Sequence, residues 1–194
     1  MSVICISYIT LDGIVTDPAG SDGTAHGGWM LRYGREPVDG DKFKIGRLLE
    51  AGALLFGRGT WQAFSQLWPH RDTAFAQRMN GAAKLVATRT LTDVSAWANS
   101  TVLGGDVVEA VKSERRDVLV MGSTAIVHQL AAADLIDEYR LMTVPTVLGA
   151  GEPLFQDGGR YAELEVVATE ASGPFVFTHC RRNAPTLGTH SEGV

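Results

Sequence analysis

Cysteine is scarce in this chain, and long apolar runs are missing. Only Cys5 and Cys180 occur in 194 residues, each in an apolar, strand-like context near one end. Such a pair reads as reduced core thiols of a cytosolic protein; the alternatives are a disulfide or a catalytic thiol. No stretch approaches the roughly 18 apolar residues that cross a bilayer. Met1-Ser2-Val3-Ile4-Cys5 has neither a basic leader nor a clear cleavage site, so the expected location is cytoplasmic. Positive charge is also short: 17 Lys and Arg against 22 Asp and Glu give a formal net charge of −5. Nucleic acids and anionic membranes want a basic surface, so neither is an expected partner. A small-molecule phosphate needs only one or two cations and stays open.

Several catalytic signatures are absent too. No Walker motif and no Gly-x-Ser-x-Gly elbow occurs, which weakens a hydrolase reading. Gly57-Arg58-Gly59-Thr60-Trp61-Gln62 lacks the third glycine of the dinucleotide fingerprint. Gly149-Ala150-Gly151 lies between Pro145 and Pro153 and does not open a helix. None of His26, His70, His128, His179 and His190 pairs at ligand spacing, so no metal is expected.

What is present has the balance of an ordinary globular protein, 45% hydrophobic and 20% charged. Residues 1–182 are expected to form one domain, and the polar, Gly/Pro-containing segment 183–194 a disordered tail. Val3 to Thr10 reads as a first strand. Residues 14–37 form a long Gly-, Asp- and Pro-rich loop carrying Trp29 and Tyr33, of the kind that is functional or mobile. Asp39 to Ala51 has helical spacing, with Phe43, Ile45, Leu48 and Leu49 as its apolar face and Asp39 as a cap. Strands follow at 53–56, 84–87, 101–103 and 118–121, with helices after the first, third and fourth of them. Ile136–Val144 and segments near 164–170 and 175–181 complete the set. This alternation predicts an α/β fold: a mostly parallel sheet covered on both faces, with an antiparallel C-terminal edge.

Chemistry concentrates at strand ends. Val118-Leu119-Val120-Met121 stops at Gly122-Ser123-Thr124 and gives way to the helical run from Ala125. A helix start with free N–H groups and a positive dipole end is an anion site. Gly57-Arg58-Gly59-Thr60 and Thr88-Arg89-Thr90 also follow apolar strands. Beyond the carboxyl edge of one parallel sheet, three such turns converge on one ligand, and arginine reaches a phosphate bidentately. Alone, Gly57–Thr60 reads as a plain turn and cap, Arg89 as a surface charge, and Gly122–Thr124 as a cap. Their joint occurrence reads as a phosphate-ligand site.

With these turns stand Ile9-Thr10-Leu11-Asp12-Gly13, Gly28-Trp29-Met30, Leu135-Ile136-Asp137-Glu138-Tyr139-Arg140-Leu141 and Val144-Pro145-Thr146-Val147-Leu148-Gly149-Ala150-Gly151-Glu152-Pro153-Leu154-Phe155. Together they resemble the dihydrofolate-reductase-like family. The resemblance is to a stand-alone member similar to the C-terminal reductase domain of bacterial riboflavin biosynthesis. It implies a dihydrofolate-reductase-like three-layer α/β/α fold and NADPH as cofactor. Gly57, Arg58 and Thr60 then open a helix against the dinucleotide. The Thr88, Arg89 and Thr90 segment brings its arginine to the adenosine 2′-phosphate. Gly122, Ser123, Thr124 and Ala125 receive the pyrophosphate. Two departures narrow this. The acids of 39–51 (Asp39, Asp41, Glu50) lie near its ends, which argues against dihydrofolate itself, and no zinc-deaminase ligands precede the reductase motifs.

The implied reaction is hydride transfer from NADPH to a small polar heterocycle, of the pteridine or aminopyrimidine class, held by the 11–37 loop. Asp12 would orient the substrate or assist proton transfer, and Trp29 would close over its ring; the other reading of Asp12 is an Asp-Gly turn residue. Asp137 and Glu138 read as strand-starting residues with structural hydrogen bonds. Two alternatives stay open: a nucleotide-binding protein on the same fold without turnover, and a binder of flavin or another phosphate ligand. A homodimer is expected from the resemblance alone.

Overall fold

The structure, a computed structural model, describes residues 1–183. Val3–Thr10 forms β1, and its side chains alternate between two buried faces: Ile4 and Ile6 on one, Val3 and Cys5 on the other. A strand apolar on both sides belongs in the middle of a covered sheet, and β1 is there. With β2 (Ala53–Gly57), β3 (Ala83–Ala87), β4 (Ser100–Leu103), β5 (Val118–Val120), β6 (Glu138–Val144), β7 (Leu164–Ser172) and β8 (Phe175–Arg182) it builds one sheet of order β4-β3-β2-β5-β1-β6-β8-β7. The first six strands in that order run parallel. β8 joins β6 antiparallel and β7 joins β8 antiparallel, giving the expected C-terminal edge.

Helices α1 (Leu48–Ala51), α2 (Arg58–Ser65) and α3 (Ala74–Gly81) pack Leu49, Trp61 and Met79 onto one face. Helices α4 (Val107–Ser113) and α5 (Thr124–Ala132) pack Val111, Ile126 and Leu130 onto the other. The result is a three-layer α/β/α fold. No described helix is long and apolar enough to cross a membrane, and the described residues hold no cluster of His, Cys, Asp and Glu that could bind a metal. Both cysteines are free; burial pushes the Cys5 thiol up to about 12.

Three details differ from the sequence expectations. The helix expected over 39–51 shrinks to α1. The Asp41 carboxylate accepts the amides of Ile45 and Gly46, both at 2.7 Å, and Gly40 and Lys44 take positive φ of 79° and 56°. A side chain that captures backbone N–H groups competes with the helix. The apolar spacing is still used, because Phe43, Ile45 and Leu49 are all buried. Second, the helix that follows β2 in the expected pattern starts at Arg58, with no residue between it and the strand. Third, α3 has no counterpart in the sequence reading; Thr73 caps it, its hydroxyl accepting the Ala76 amide at 3.2 Å. Asn183 is tied to the fold by its amide on the Glu163 carbonyl at 3.1 Å; the rest of the expected disordered tail, 184–194, lies outside the described residues.

Asp137 and Glu138 do start a strand with structural bonds. The Asp137 carboxylate accepts the Val3 amide at 2.8 Å and fixes the start of β1. Glu138 accepts from His179 at 2.9 Å and Arg181 at 3.2 Å. Burial works to raise its pKa, but these hydrogen bonds and the charges of His179 and Arg140 hold it below the usual range.

Candidate functional site

The carboxyl ends of the parallel strands share one edge, and the turns leaving β2, β3 and β5 meet there. The Gly57 amide donates to the Gly122 carbonyl at 2.9 Å. The two chains approach so closely that a Cβ on Gly57 would lie 2.8 Å from Ser123 Oγ, and one on Gly122 would lie 3.0 Å from Thr60 Oγ1. Gly122 also has φ of 115°, a backbone that side chains rarely adopt. The glycines are thus what lets α2 and α5 start side by side. Neither helix start is capped by a side chain, although Thr73 and Asp106 cap α3 and α4. Ser123 occupies the cap position of α5, yet its hydroxyl makes no cap bond. The opening N–H groups of α2 and α5 have no intrahelical acceptor, so two positive helix ends face the same space.

That space is a cleft of about 510 Å³ lined by Gly57, Arg58, Thr88, Arg89, Ser123 and Gln129 among others. Arg58 Nη1 donates to Thr90 Oγ1 at 3.3 Å, so the β2 and β3 turns are joined. Arg89 has no hydrogen-bond or ion-pair partner among the described residues. Asp106 also lines the cleft, but its carboxylate is engaged by the amides of Val108 and Glu109 at 2.8 and 3.1 Å. The Thr88 hydroxyl accepts the amides of Thr90 and Leu91 at 3.2 and 3.1 Å and fixes the turn. The cleft therefore presents two guanidinium groups, hydroxyls and helix amides, the donor set of a phosphate ligand.

A second cavity of about 400 Å³ lies across the start of α5. Ser123 and Ala125 line both spaces, while Thr60, Gly122 and Thr124 line the second. Every residue expected at the cofactor is thereby in one cavity or the other. The second is walled by Tyr8, Met30, Phe43 and Phe64, with Thr16, Asp17, Asp22 and Glu152 also on its surface. Tyr8 meets Phe43 edge-on, ring centres 5.0 Å apart. Its hydroxyl has no protein partner among the described residues. Burial, and then the charge of Asp39, push its pKa up, so it stays a protonated donor at neutral pH.

The two residues expected at the chemistry lie elsewhere. Asp12 lines neither cavity. Its carboxylate accepts from Thr10 Oγ1 at 2.5 Å and from the amides of Leu148 and Gly149 at 3.1 and 2.7 Å, tying the turn after β1 to the 148–149 loop. The Thr10 hydroxyl, followed by these amides, lowers its pKa. Trp29 is wholly buried, and its Nε1 donates to the Thr16 carbonyl at 2.7 Å. It supports from behind a loop that lines the second cavity and does not close over it. Aromatic size read from sequence carries no direction, so a lid over a cavity and a buried support look alike there.

The long loop is organised by its own polar groups. Asp17 is buried, its carboxylate accepting from the amides of Asp22 and Thr24 and from Thr24 Oγ1, each at 3.0 Å. Burial works to raise its pKa, and these hydrogen bonds outweigh it and lower it. Sequence reasoning missed Asp106 and Gln129 in the first cleft and Tyr8, Phe43 and Phe64 in the second. Signals for two of them were present: Gly104-Gly105-Asp106 also follows a parallel strand, and Tyr8 shares the parity of Ile4 and Ile6 at the end of β1.

Comparisons with known proteins agree with this architecture. In sequence, the chain is 25% identical over 169 residues to the uncharacterized protein YyaP of Bacillus subtilis (strain 168), spanning 83% of this chain and 84% of that one. In structure, it is similar to a protein of Shewanella sp. PV-4 provisionally described as a riboflavin biosynthesis protein, with a TM-score of 0.71, 20% identity, and coverage of 95% and 100% of the two chains. A pyrimidine reductase-like protein of Corynebacterium diphtheriae matches with a TM-score of 0.62 at 12% identity, over 94% of this chain and 92% of that one. RibD of Acinetobacter baumannii matches with a TM-score of 0.62 at 14% identity, over 94% of this chain but only 58% of that longer one. These identities speak to the fold. Family membership rests on sequence: the model of the RibD C-terminal domain matches residues 1–177, a span that holds both cavities and all three strand-end turns, and the chain belongs to that family.

Proposed function

We propose that the protein is an NADPH-dependent reductase of a small polar heterocycle, of the pteridine or aminopyrimidine class. The observation that carries this reading is the meeting of two uncapped helix starts with Arg58 and Arg89 on one sheet edge. The residues present fit the cofactor. Gly57 and Gly122 let the α2 and α5 starts lie side by side where any Cβ would meet Ser123 or Thr60, and the amides of Ser123, Thr124 and Ala125 at that start would hold a diphosphate. Arg58, Thr88, Arg89 and Thr90 would hold the adenosine 2′-phosphate, and Thr60 would border the passage into the second cavity. When bound, NADPH supplies the hydride. The chain's own work is to orient the two ligands on either side of α5 and to exclude water. The pyrimidine reductase-like relative supports the substrate class.

A homodimer belongs to the same proposal. Edge strand β7, with Val166 and Val167 exposed, supports it. One observation favours a second reading, a nucleotide-binding protein without turnover: Asp12 and Trp29, the residues expected at the chemistry, line neither cavity. Titration with NADPH while following nicotinamide fluorescence tests the cofactor. NADPH consumption over a pteridine, pyrimidine and quinone panel separates the readings. Binding without consumption favours the second, and no binding at millimolar cofactor sinks both.

A further inference from the structure

The two cavities that share Ser123 and Ala125 carry opposite charge. The first holds Arg58 and Arg89, and the one carboxylate among the described residues lining it, Asp106, is spent on a helix cap. The second has Asp22 and Glu152 on its surface, with Asp17 engaged by the amides of the 22–24 turn, and among the described residues lining it there is no Lys, Arg or His. The cations flanking Phe43 in sequence are held elsewhere: Lys42 by Glu36 at 3.5 Å and Lys44 by Glu170 at 2.8 Å. His128, behind Glu152, has Nε2 on the Pro153 carbonyl at 3.0 Å and Nδ1 4.0 Å from the Glu152 carboxylate. It serves the loop and does not line the cavity. Asp22 and Glu152 are exposed, so their charges stand on the solvent side of the space.

The remaining walls combine aromatic and apolar side chains with the hydroxyl-bearing Ser7, Thr16, Ser21, Thr60, Ser123 and Thr124. Tyr8, Phe43 and Phe64 surround a volume of about 400 Å³, with Met30 and Met121 beside them. This is the lining of a site for a planar ring, with a few polar groups to set its orientation. The unpartnered Tyr8 hydroxyl is such a group. A phosphate monoester brings about −1.5 to −2 charges at neutral pH, and among the described residues lining the cavity there is no cation to neutralise it. The helix amides that could do so belong to the cofactor's diphosphate in the reading above.

Resting on the NADPH-reductase reading, we propose that the second cavity selects an unphosphorylated planar heterocycle, uncharged or cationic, that accepts a hydrogen bond from Tyr8. Substrates whose ring carries a phosphate monoester are disfavoured by the acidic rim. The natural substrate is thus a free base or nucleoside-like ring rather than a nucleotide.

Calorimetric titration of the full chain tests this with pterin, 5-aminouracil, uridine and uridine 5′-monophosphate, each with and without saturating NADP⁺. The bare rings and uridine are expected to bind at least about tenfold more tightly than the monophosphate. Tyr8→Phe is expected to weaken ring binding by about three- to tenfold at an unchanged unfolding midpoint, and Glu152→Lys to narrow the gap between uridine and its monophosphate. Monophosphate binding as tight as uridine, or no ring binding by protein that binds NADP⁺, overturns the proposal. Ring binding by protein that does not bind NADP⁺ overturns the cofactor reading alone and supports the assignment of this cavity.

Discussion

Gly57 and Gly122 are joined by an N–H to carbonyl bond of 2.9 Å, and that contact brings the starts of α2 and α5 together. β2 and β5 are neighbours in the sheet, so the turns leaving them begin side by side. What the glycines add is room: the space that a Cβ on Gly57 would need is filled by the Ser123 side chain.

Gly57→Ala is therefore expected to weaken NADPH binding more than it weakens the fold. Its Cβ would meet Ser123 Oγ at 2.8 Å and push the α5 start away, at about 1–3 kcal/mol for overpacking. Gly122→Ala meets the same crowding with φ at 115° and should cost about 1–3 kcal/mol in backbone strain. Thermal unfolding and cofactor titration of both variants check this. Wild-type affinity in Gly57→Ala would show that the α5 start is not where the ligand sits.

Asp12→Asn separates a structural carboxylate from a catalytic one. The folded-state pKa of Asp12 is depressed by Thr10 and by the amides of Gly149 and Leu148. Its contribution to stability is thus present above the ordinary aspartate range, and is lost as pH falls through the folded value. The variant should unfold at a lower temperature at neutral pH and lose part of the acid-side dependence, while keeping NADPH affinity. A variant with unchanged unfolding at every pH and lost turnover would return Asp12 to the chemistry.

Lys84 gives a stability effect at the alkaline end of the range. It is 1% exposed, its Nζ donates to the carbonyls of Asn80, Ala82 and Ala98 at 3.0, 2.7 and 2.9 Å, and it lies 4.5 Å from the centre of the Trp97 ring. Burial pulls its pKa down from 10.5 to about 8. Between these values the unfolded chain binds more protons, so stability should rise with pH across that window. The rise is at most about 3 kcal/mol, because the three carbonyls and the Trp97 face favour the cation. Lys84→Met should flatten this window and, by orphaning the carbonyls, cost about 1–3 kcal/mol below it. Denaturant unfolding from pH 7 to 10.5 measures both.

Much of this fold is legible in the sequence because strands buried on both faces leave unbroken apolar runs. Val3–Thr10, 53–57, 83–87 and 118–120 all lie at or next to their expected places. The helical errors have local causes. Asp41 takes the amides that a helix over 39–51 needed, while α3 buries only Ala76 and Met79 and so leaves little periodicity to see. At the candidate site the turns are legible through the threonine that each carries after its strand, joined by glycine, arginine or both. Side-chain direction is not. Trp29 looks like a lid in sequence and is a buried strut, and Tyr8, inside the first strand, borders a cavity.

The cofactor proposal meets its most direct test when NADPH and NADH are titrated side by side against the wild-type protein and Arg89→Ala, following nicotinamide fluorescence. Arg89 lines the first cleft beside Thr88 and Thr90, and a guanidinium–phosphate pair is worth about 1.5–3 kcal/mol. The predicted result is saturable NADPH binding at least about tenfold tighter than NADH, a preference that collapses in Arg89→Ala while NADH affinity stays unchanged. Absence of saturable binding at millimolar NADPH, or an equal affinity for both nucleotides that Arg89→Ala leaves untouched, would contradict it.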